Sequence, residues 1–335
     1  GSVVTWGRDV NGGDSSKVAS QLSDGVINIV STYHAFAALK EDGSVVVWGY
    51  DDGGNFSIGD ASDVSNYLKG NVAEIYSTDN AFAVLKKDGS VITWGEDYSG
   101  GDPRRPYHEN LNLLSSGVKE IKQSRSSFAA LKEDGTAVSW GNVSTPNDDN
   151  NHSIKSIYLS NENVIYEKID GSIAYEDELI TTIKIQLSDG SFSEEIIEIK
   201  DIYPAYYDFN LITTEGLIFN SDDISYSSDD FHYISEDSIV GSETNQVKEV
   251  VSSRYGSAVL LEDGSVKTLE TDIGESSHIP STEELDVYDD EGRANAIQLI
   301  NNLSQDVIDI FSTERCLGAI KNDGSVVMWG EPSNR

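Results

Sequence analysis

Apolar residues along this chain recur in short alternating runs separated by Asp-Gly and Trp-Gly, a pattern with a period of two that predicts strands. The clearest stretch is VINIVSTYHAFAALKEDGSVVVWG from Val26. It is repeated almost word for word as VAEIYSTDNAFAVLKKDGSVITWG from Val72 and VKEIKQSRSSFAALKEDGTAVSWG from Val118. A fourth copy, VIDIFSTERCLGAIKNDGSVVMWG, starts at Val307. Each unit reads as one strand, a turn, and a tight hairpin of two more strands. Asp-Gly between alternating runs is a strong hairpin signal, and a two-residue turn of this kind puts both residues at positive φ.

A ruler extends the series. In the clear copies the first Val lies seventeen residues before the hairpin Gly, as Val26 does before Gly43. The same interval joins Ile154 to Gly171, Ile199 to Gly216 and Val247 to Gly264, each with an aliphatic residue at the fourth place (Ile157, Ile202, Val250). Seven units result, most of them about 45 residues apart, the length of a four-stranded propeller blade. The fold class is therefore all-β: a seven-bladed β-propeller of tandem repeats forming one domain over 1–335. Clear repeats cover 1–141 and 307–330 and degenerate ones 150–269, with an insertion at about 270–303. Within that insertion Ser281-Thr-Glu-Glu and the run Ala294 to Leu303 each predict a short rim helix. Asp189-Gly190 predicts an extra hairpin on the outside of a blade. The blades interlock through Trp48, Trp94, Trp140 and Trp329, replaced in the degenerate units at roughly Tyr175, Phe219 and Leu269. A closed ring leaves no sheet edge open to aggregation.

The unit ST-x-x-AFAALK-x-DGSVV-x-WG resembles the repeat of the regulator-of-chromosome-condensation family, with the similarity resting mainly on spacing between 150 and 220. The resemblance implies a seven-bladed propeller that acts through protein–protein contact. One branch of that family exchanges nucleotide on a small GTPase, and another inhibits β-lactamases by capping their active sites. Bacterial surface and secreted proteins with such repeats carry links like GGDSS-x-V-x-x-x-L, seen here from Gly12 to Leu22, and are nearest in wording. Ser2 to Gly7, SVVTWG, copies the end of a unit without its beginning, although the seventh unit has its own ending at Ser325 to Gly330. In the inhibitor branch a strand of this type completes the last blade. Eight unit ends against seven unit starts predict a chain cut from a longer array.

Charge narrows the partners. Lys and Arg total 23 against 58 Asp and Glu, a formal charge of −35, which opposes nucleic acid and anionic membrane. No apolar run reaches the eighteen residues of a membrane span, and GSVVTWG has no signal-peptide features. Cys316, the only cysteine, replaces the small Ala35 of the consensus and is expected to be buried and inert. A surface-exposed or extracellular location is expected, as a monomer or as part of a longer chain.

The internal copies also show where the scaffold leaves freedom. Between the Ser-Thr and the Ala-Phe lie Tyr33-His34, Asp79-Asn80, Arg125-Ser126, Arg254-Tyr255 and Glu314-Arg315. The ruler adds Asn161-Glu162 and Tyr206-Tyr207. In a ring these fourteen residues meet at one mouth. Their wealth of Tyr and Arg, the types enriched at binding hot spots, makes them the candidate surface for an unidentified protein partner. No catalytic motif is present, so the chain is expected not to be an enzyme and to need no cofactor. Asp9-Val-Asn-Gly-Gly-Asp14 and Asp97-Tyr-Ser-Gly-Gly-Asp102 place oxygen ligands beside glycines in the manner of a calcium loop. Turn chemistry accounts for both without a metal. The rival functions are a structural spacer of a giant surface protein, an inhibitor of an enzyme such as a β-lactamase, and an enzyme using the channel mouth.

Overall fold

The computed structural model describes residues 1–50, 58–102, 110–143, 151–175, 178–181, 183–193, 198–206, 208–226, 232–235, 239–240, 246–254, 256–270 and 290–330. They form two compact units, Gly1–Leu179 and Ile180–Arg335.

Four sheets make up the first unit. The first contains Val26–Ser31, Ala35–Lys40 and Val45–Gly49. The second holds Val72–Ser77, Ala81–Lys86 and Val91–Gly95, and the third Val118–Gln123, Ser127–Lys132 and Ala137–Gly141. The fourth, with Ile154–Leu159, Val164–Lys168 and Ile173–Tyr175, adds Glu178–Ile180 as a fourth strand. The second unit has three sheets of the same design: Ile199–Pro204 with Phe209–Thr213 and Ile218–Asn220, Val247–Ser253 with Gly256–Leu261 and Val266–Glu270, and Val307–Ser312 with Cys316–Lys321 and Val326–Gly330.

All seven sheets share one irregularity. Pairing between first and middle strands skips a residue directly after the first position, at Val26/Asn28, Val72/Glu74, Val118/Glu120, Ile154/Ser156, Ile199/Asp201, Val247/Glu249 and Val307/Asp309. A bulge of this kind bends the strand and fixes its register. Its recurrence seventeen residues before each hairpin glycine shows that the degenerate units are folded copies of the clear ones. The architecture is an all-β series of small antiparallel sheets of propeller-blade type. Among the described residues six of these seven repeat sheets have three strands, where the repeat length predicts four, and an eighth, three-stranded sheet lies outside the series.

The hairpin turns differ from the sequence expectation. Only the glycine takes a positive φ, as at Gly43 (φ +79°), while the preceding Asp does not. Gly43 N bonds to Lys40 O and Lys40 N to Ser44 O, both at 2.9 Å. This is a three-residue loop, a type I turn followed by a left-handed glycine, which matches strand twist as well as the two-residue turn does. The carbonyl of that glycine accepts from the first amide of the next unit: Val72 N to Gly43 O at 3.0 Å, Val118 N to Gly89 O at 2.9 Å, Val307 N to Gly264 O at 3.0 Å.

Packing follows the alternation of the middle strand. In the second sheet Phe82 stacks on Trp94, with ring centroids 5.1 Å apart, and the pair lies against Ala35, Ala37 and Leu39 of the first sheet. In the third sheet Phe128 and Trp140, 5.4 Å apart, lie against Ala81, Ala83 and Leu85 of the second. One face of the first and second middle strands is small so that the neighbour's aromatic pair can approach, and Phe82 and Phe128 are fully buried as a result. First strands are tied as well, Ser77 bonding through its amide to Gln123 Oε1 and through its hydroxyl to Ser31 O, each at 2.9 Å.

A short helical segment covers the outer edge of the third strand. Leu22, Leu68, Leu114 and Leu303, each four residues before a unit start, are buried there. The carbonyls of the first three accept from Val3, Val45 and Val91. Lys40, Lys86 and Lys321 reach over to Gln21 O, Tyr67 O and Asn302 O at 2.8, 3.0 and 2.7 Å. Leu303 ends the helix Asp290–Leu303, which includes the expected run from Ala294 and buries Ala296 and Leu303 along one side. The helix expected from Ser281 lies outside the described residues.

Several finer expectations are corrected by register. Leu269 faces Ser257 in the Trp position, but Tyr175 and Phe219 fall one and two places short of it. The Trp position of that unit belongs to Ser221, whose Oγ accepts from Phe209 N at 3.1 Å. The hairpin expected at Asp189-Gly190 forms, its arms joined by Leu187 N to Ser191 O and Ser193 N to Ile185 O, both at 2.8 Å, and by the bridge of Gln186 with Phe192. Ile183–Gln186 pairs in parallel with His232–Ser235, which also binds Ser225–Tyr226. Cys316 keeps the register of Ala35 but is partly exposed rather than buried. The seventh sheet takes Val326–Gly330 as its third strand.

Candidate functional site

The variable pairs sit at the centre of very tight turns between first and middle strands. Thr32 N bonds to Ala35 O and Ala35 N to Thr32 Oγ1, both at 2.9 Å. Thr78 with Ala81, Ser160 with Asn163 and Thr313 with Cys316 repeat that double closure. A hydroxyl at the first corner thus substitutes for a backbone acceptor and leaves the two central side chains unconstrained by the turn.

In the first unit the first member of each pair is spent on neighbouring sheets. Tyr33 N donates to Asp79 O at 2.9 Å and Asp79 N to Arg125 O at 2.7 Å. Arg125 N donates to Asn161 Oδ1 at 3.2 Å, and Ser126 Oγ to Asn161 O at 3.1 Å. The Arg125 side chain closes the group: Nε donates to Asp79 Oδ2 at 2.9 Å, and the guanidinium also donates to the Tyr33 hydroxyl. Partial burial raises the Tyr33 phenol, while Arg125 pulls it the other way. Tyr33 is nevertheless 54% exposed, so its ring remains presented to solvent.

Apart from Ser126, the second members behave differently. His34 and Asn80 line a cavity of about 390 Å³ together with Asn11, Tyr50, Ile58 and Glu96. The His34 ring lies 6.0 Å from that of Tyr50, and its Nδ1 is 3.4 Å from Asn11 Oδ1. Carbonyls of His34 and Asn80 accept from Tyr50 N (2.8 Å) and Glu96 N (2.9 Å), which fixes the cavity walls to the ends of the third strands. Glu162 is exposed beside Asn161.

In the second unit Arg254 N donates to Glu314 O at 2.8 Å, and the Arg254 guanidinium lies 5.7 Å over the Tyr206 ring, a cation–π geometry. Glu314 and Arg315 are exposed. Tyr207 and Tyr255 lie outside the described residues. Tyr33, Asp79, Arg125 and Asn161 are therefore brought together in one unit, and Tyr206, Arg254 and Glu314 in the other.

Sequence reasoning missed the walls contributed by Asn11, Tyr50 and Glu96. Tyr50 and Glu96 each follow a Trp-Gly, a position that varies as freely as the turn pairs and was a usable signal. The two calcium-like stretches have a different use. Asp9–Asn11 and Asp97–Ser99 form short 3-10 turns that end on Gly12 (φ +84°) and Gly100 (φ +92°). Gly12 O and Gly100 O each accept the indole N–H of Trp48 or Trp140 at 3.1 Å. A side chain on Gly100 would stand 2.6 Å from Phe128. These glycines seat the aromatic stack.

No family model matches the sequence, and no curated relative does. Among solved structures, the chain is similar to yeast RCC1 (Prp20) bound to Kap60, at 13% identity over 72% of this chain and 69% of that one, with a TM-score of 0.36. It is also similar to the CRINKLY WD40 ectodomain of the receptor kinase ACR4 from Arabidopsis thaliana, at 14% identity over 91% and 95% with a TM-score of 0.38. BamB from Moraxella catarrhalis follows at 10% identity over 89% and 82%, TM-score 0.30. Likenesses this distant carry no inference about the site, and the architecture rests on the strand pairing. Among the described residues no helix is long and apolar enough to cross a membrane.

Proposed function

We propose that the chain is a non-enzymatic recognition module of β-propeller type that binds a protein partner through the turns between first and middle strands, at the cell surface or outside the cell. The observation that carries this reading is the division of labour within the turns. Tyr33, Asp79 and Arg125 lock neighbouring sheets together, while His34 and Asn80 line an adjoining cavity walled by Tyr50 and Glu96. A rigid base beside presented aromatic and amide groups suits recognition, because little side-chain freedom is lost on binding. A charge of −35 favours a solvated, salt-tolerant surface.

A second reading, a structural spacer, is favoured by the same backbone bonds, since Tyr33, Asp79 and Arg125 have a scaffold role without any partner. The experiment that separates the two selects peptide ligands against the whole chain by display and titrates them against His34→Ala, Asn80→Ala and Tyr33→Ser. Recognition through the turns predicts at least a tenfold loss of affinity in one or more variants with unchanged unfolding. Ligands indifferent to all three overturn the assignment.

A further inference from the structure

The cavity beside the turns has a chemistry that narrows what it can hold. Its volume of about 390 Å³ is at the small end for a ligand pocket, about 300 to 1,000 Å³. The first sheet lines it with His34 and the adjoining Tyr50, and the second with Asn80 and Glu96. No Lys or Arg is among its described lining residues, whereas Glu96 contributes a carboxylate. Glu96 is half-buried, and its Oε2 accepts from Ser99 Oγ at 2.8 Å. Among the described residues no cation pairs with it and Oε1 accepts no hydrogen bond. A carboxylate partly withdrawn from water without a counter-charge bears a desolvation cost that a bound cation would offset.

The rest of the lining supplies acceptors and apolar surface. The Asn80 side chain has no hydrogen-bond partner among the described residues. With His34 Nδ1–H directed at Asn11 Oδ1, 3.4 Å away, the ring Nε2 is left as an acceptor. The rings of His34 and Tyr50, 6.0 Å apart and inclined at 51°, add π faces. Ile58 is buried and Val10 exposed, so the cavity offers apolar contact both inside and at its rim.

This combination discriminates between ligand classes. An anion would meet Glu96 and a chain of formal charge −35. A purely apolar group would strip water from Glu96 and Asn80 and return no hydrogen bond. An ammonium is a compact, strongly hydrated point charge, poorly matched to acceptors spread over two sheets. A guanidinium is planar, weakly hydrated and carries five donors in a fixed fork. It also stacks on aromatic rings while its methylene stem lies along apolar surface.

We propose that the cavity takes the side chain of an arginine presented by the protein partner, its guanidinium held by Glu96 and Asn80 and its stem laid against Ile58. This inference rests on the reading of the turns as a recognition surface and gives that surface its ligand chemistry.

The test uses the whole chain, isotopically labelled for amide NMR, and the blocked amino acid N-acetyl-arginine methylamide. Its neutral isostere, the citrulline derivative, and the corresponding lysine derivative serve as controls. Saturable shifts with the arginine probe are expected at the amides of His34, Tyr50, Asn80 and Glu96, and both controls should bind at least tenfold more weakly. Glu96→Gln removes the charge but keeps an acceptor for Ser99, so it should weaken the arginine probe at least tenfold with unchanged urea unfolding. Spermidine separates a free polyamine from a partner's side chain and should bind more weakly than the arginine probe. The proposal is overturned by lack of binding, by equal binding of the citrulline derivative, by affinity retained in Glu96→Gln, or by tighter binding of spermidine or the lysine derivative. If it fails while display-selected ligands still depend on His34 or Asn80, only the arginine assignment falls. Ligands indifferent to all three turn variants overturn the recognition reading itself.

Discussion

Arg125 Nε donates to Asp79 Oδ2 at 2.9 Å, joining two residues that hold the same place in successive repeats. Each side chain is about a third exposed or less, 34% and 27%, so the pair is neither a loose surface contact nor a dry one. Backbone bonds between the same turns hold it in geometry.

Because that bond is pre-organised, Arg125→Met is expected to lower stability by about 1 kcal/mol, the upper end for a partly exposed pair. A double-mutant cycle with Asp79→Asn, read by urea unfolding, should return most of the loss as coupling energy. Additive losses would show that the two side chains act independently.

Gly100→Ala addresses the seat of the Phe128–Trp140 stack. The new methyl group would meet Phe128 at 2.6 Å in a backbone with φ +92°, combining overpacking with left-handed strain. A loss of about 2 to 4 kcal/mol is expected, measured by urea unfolding. Gly171→Ala, at φ +87° with open space around it, isolates the strain and should cost distinctly less.

The hairpin turns predict a response to acid. Hydrogen bonds from Ser44 and Ser90 lower the carboxyls of Asp42 and Asp88. Bonds from Thr136 lower Asp134, and those from Ser172 and Ser325 lower Asp170 and Asp323. Folded values below the unfolded value of about 3.9 mean that their stabilisation is complete above that pH and is lost as pH falls through the folded values. Thermal unfolding midpoints should therefore drop below pH 4. Ser44→Ala with Ser90→Ala should make the drop shallower, and carboxyl NMR titration should find Asp42 and Asp88 moved upward. Unmoved carboxyls would refute the attribution to these turns.

The parts of this fold legible in the sequence are those governed by local chemistry. Asp-Gly marked the hairpins and the seventeen-residue interval located all seven unit starts, because turn and strand length are set within one unit. The bulge after each first residue left no mark in the wording. It comes from pairing, and the residue it displaces is as different as Ile27, Ala73 and Lys119. Tyr175 and Phe219 were misplaced for the same reason: an apolar residue near the expected distance does not fix register, which Ser221 then filled with a hydroxyl instead of a ring. At the candidate site the turn pairs were visible as variable positions. Their separation into linking and cavity-lining members was not, since it depends on which way each side chain turns relative to the next sheet.

The bonds from the hairpin glycine carbonyls of Gly43, Gly89 and Gly135 to the next unit bear on the order in which the molecule is made. Gly43 holds Val72, Gly89 holds Val118 and Gly135 holds Ile154, so each link reaches forward by only one unit. A nascent chain leaving the ribosome has no need to wait for distant segments. In these first units an emerging strand finds a finished turn already in place, and the first half of the protein can settle while the second is still being translated.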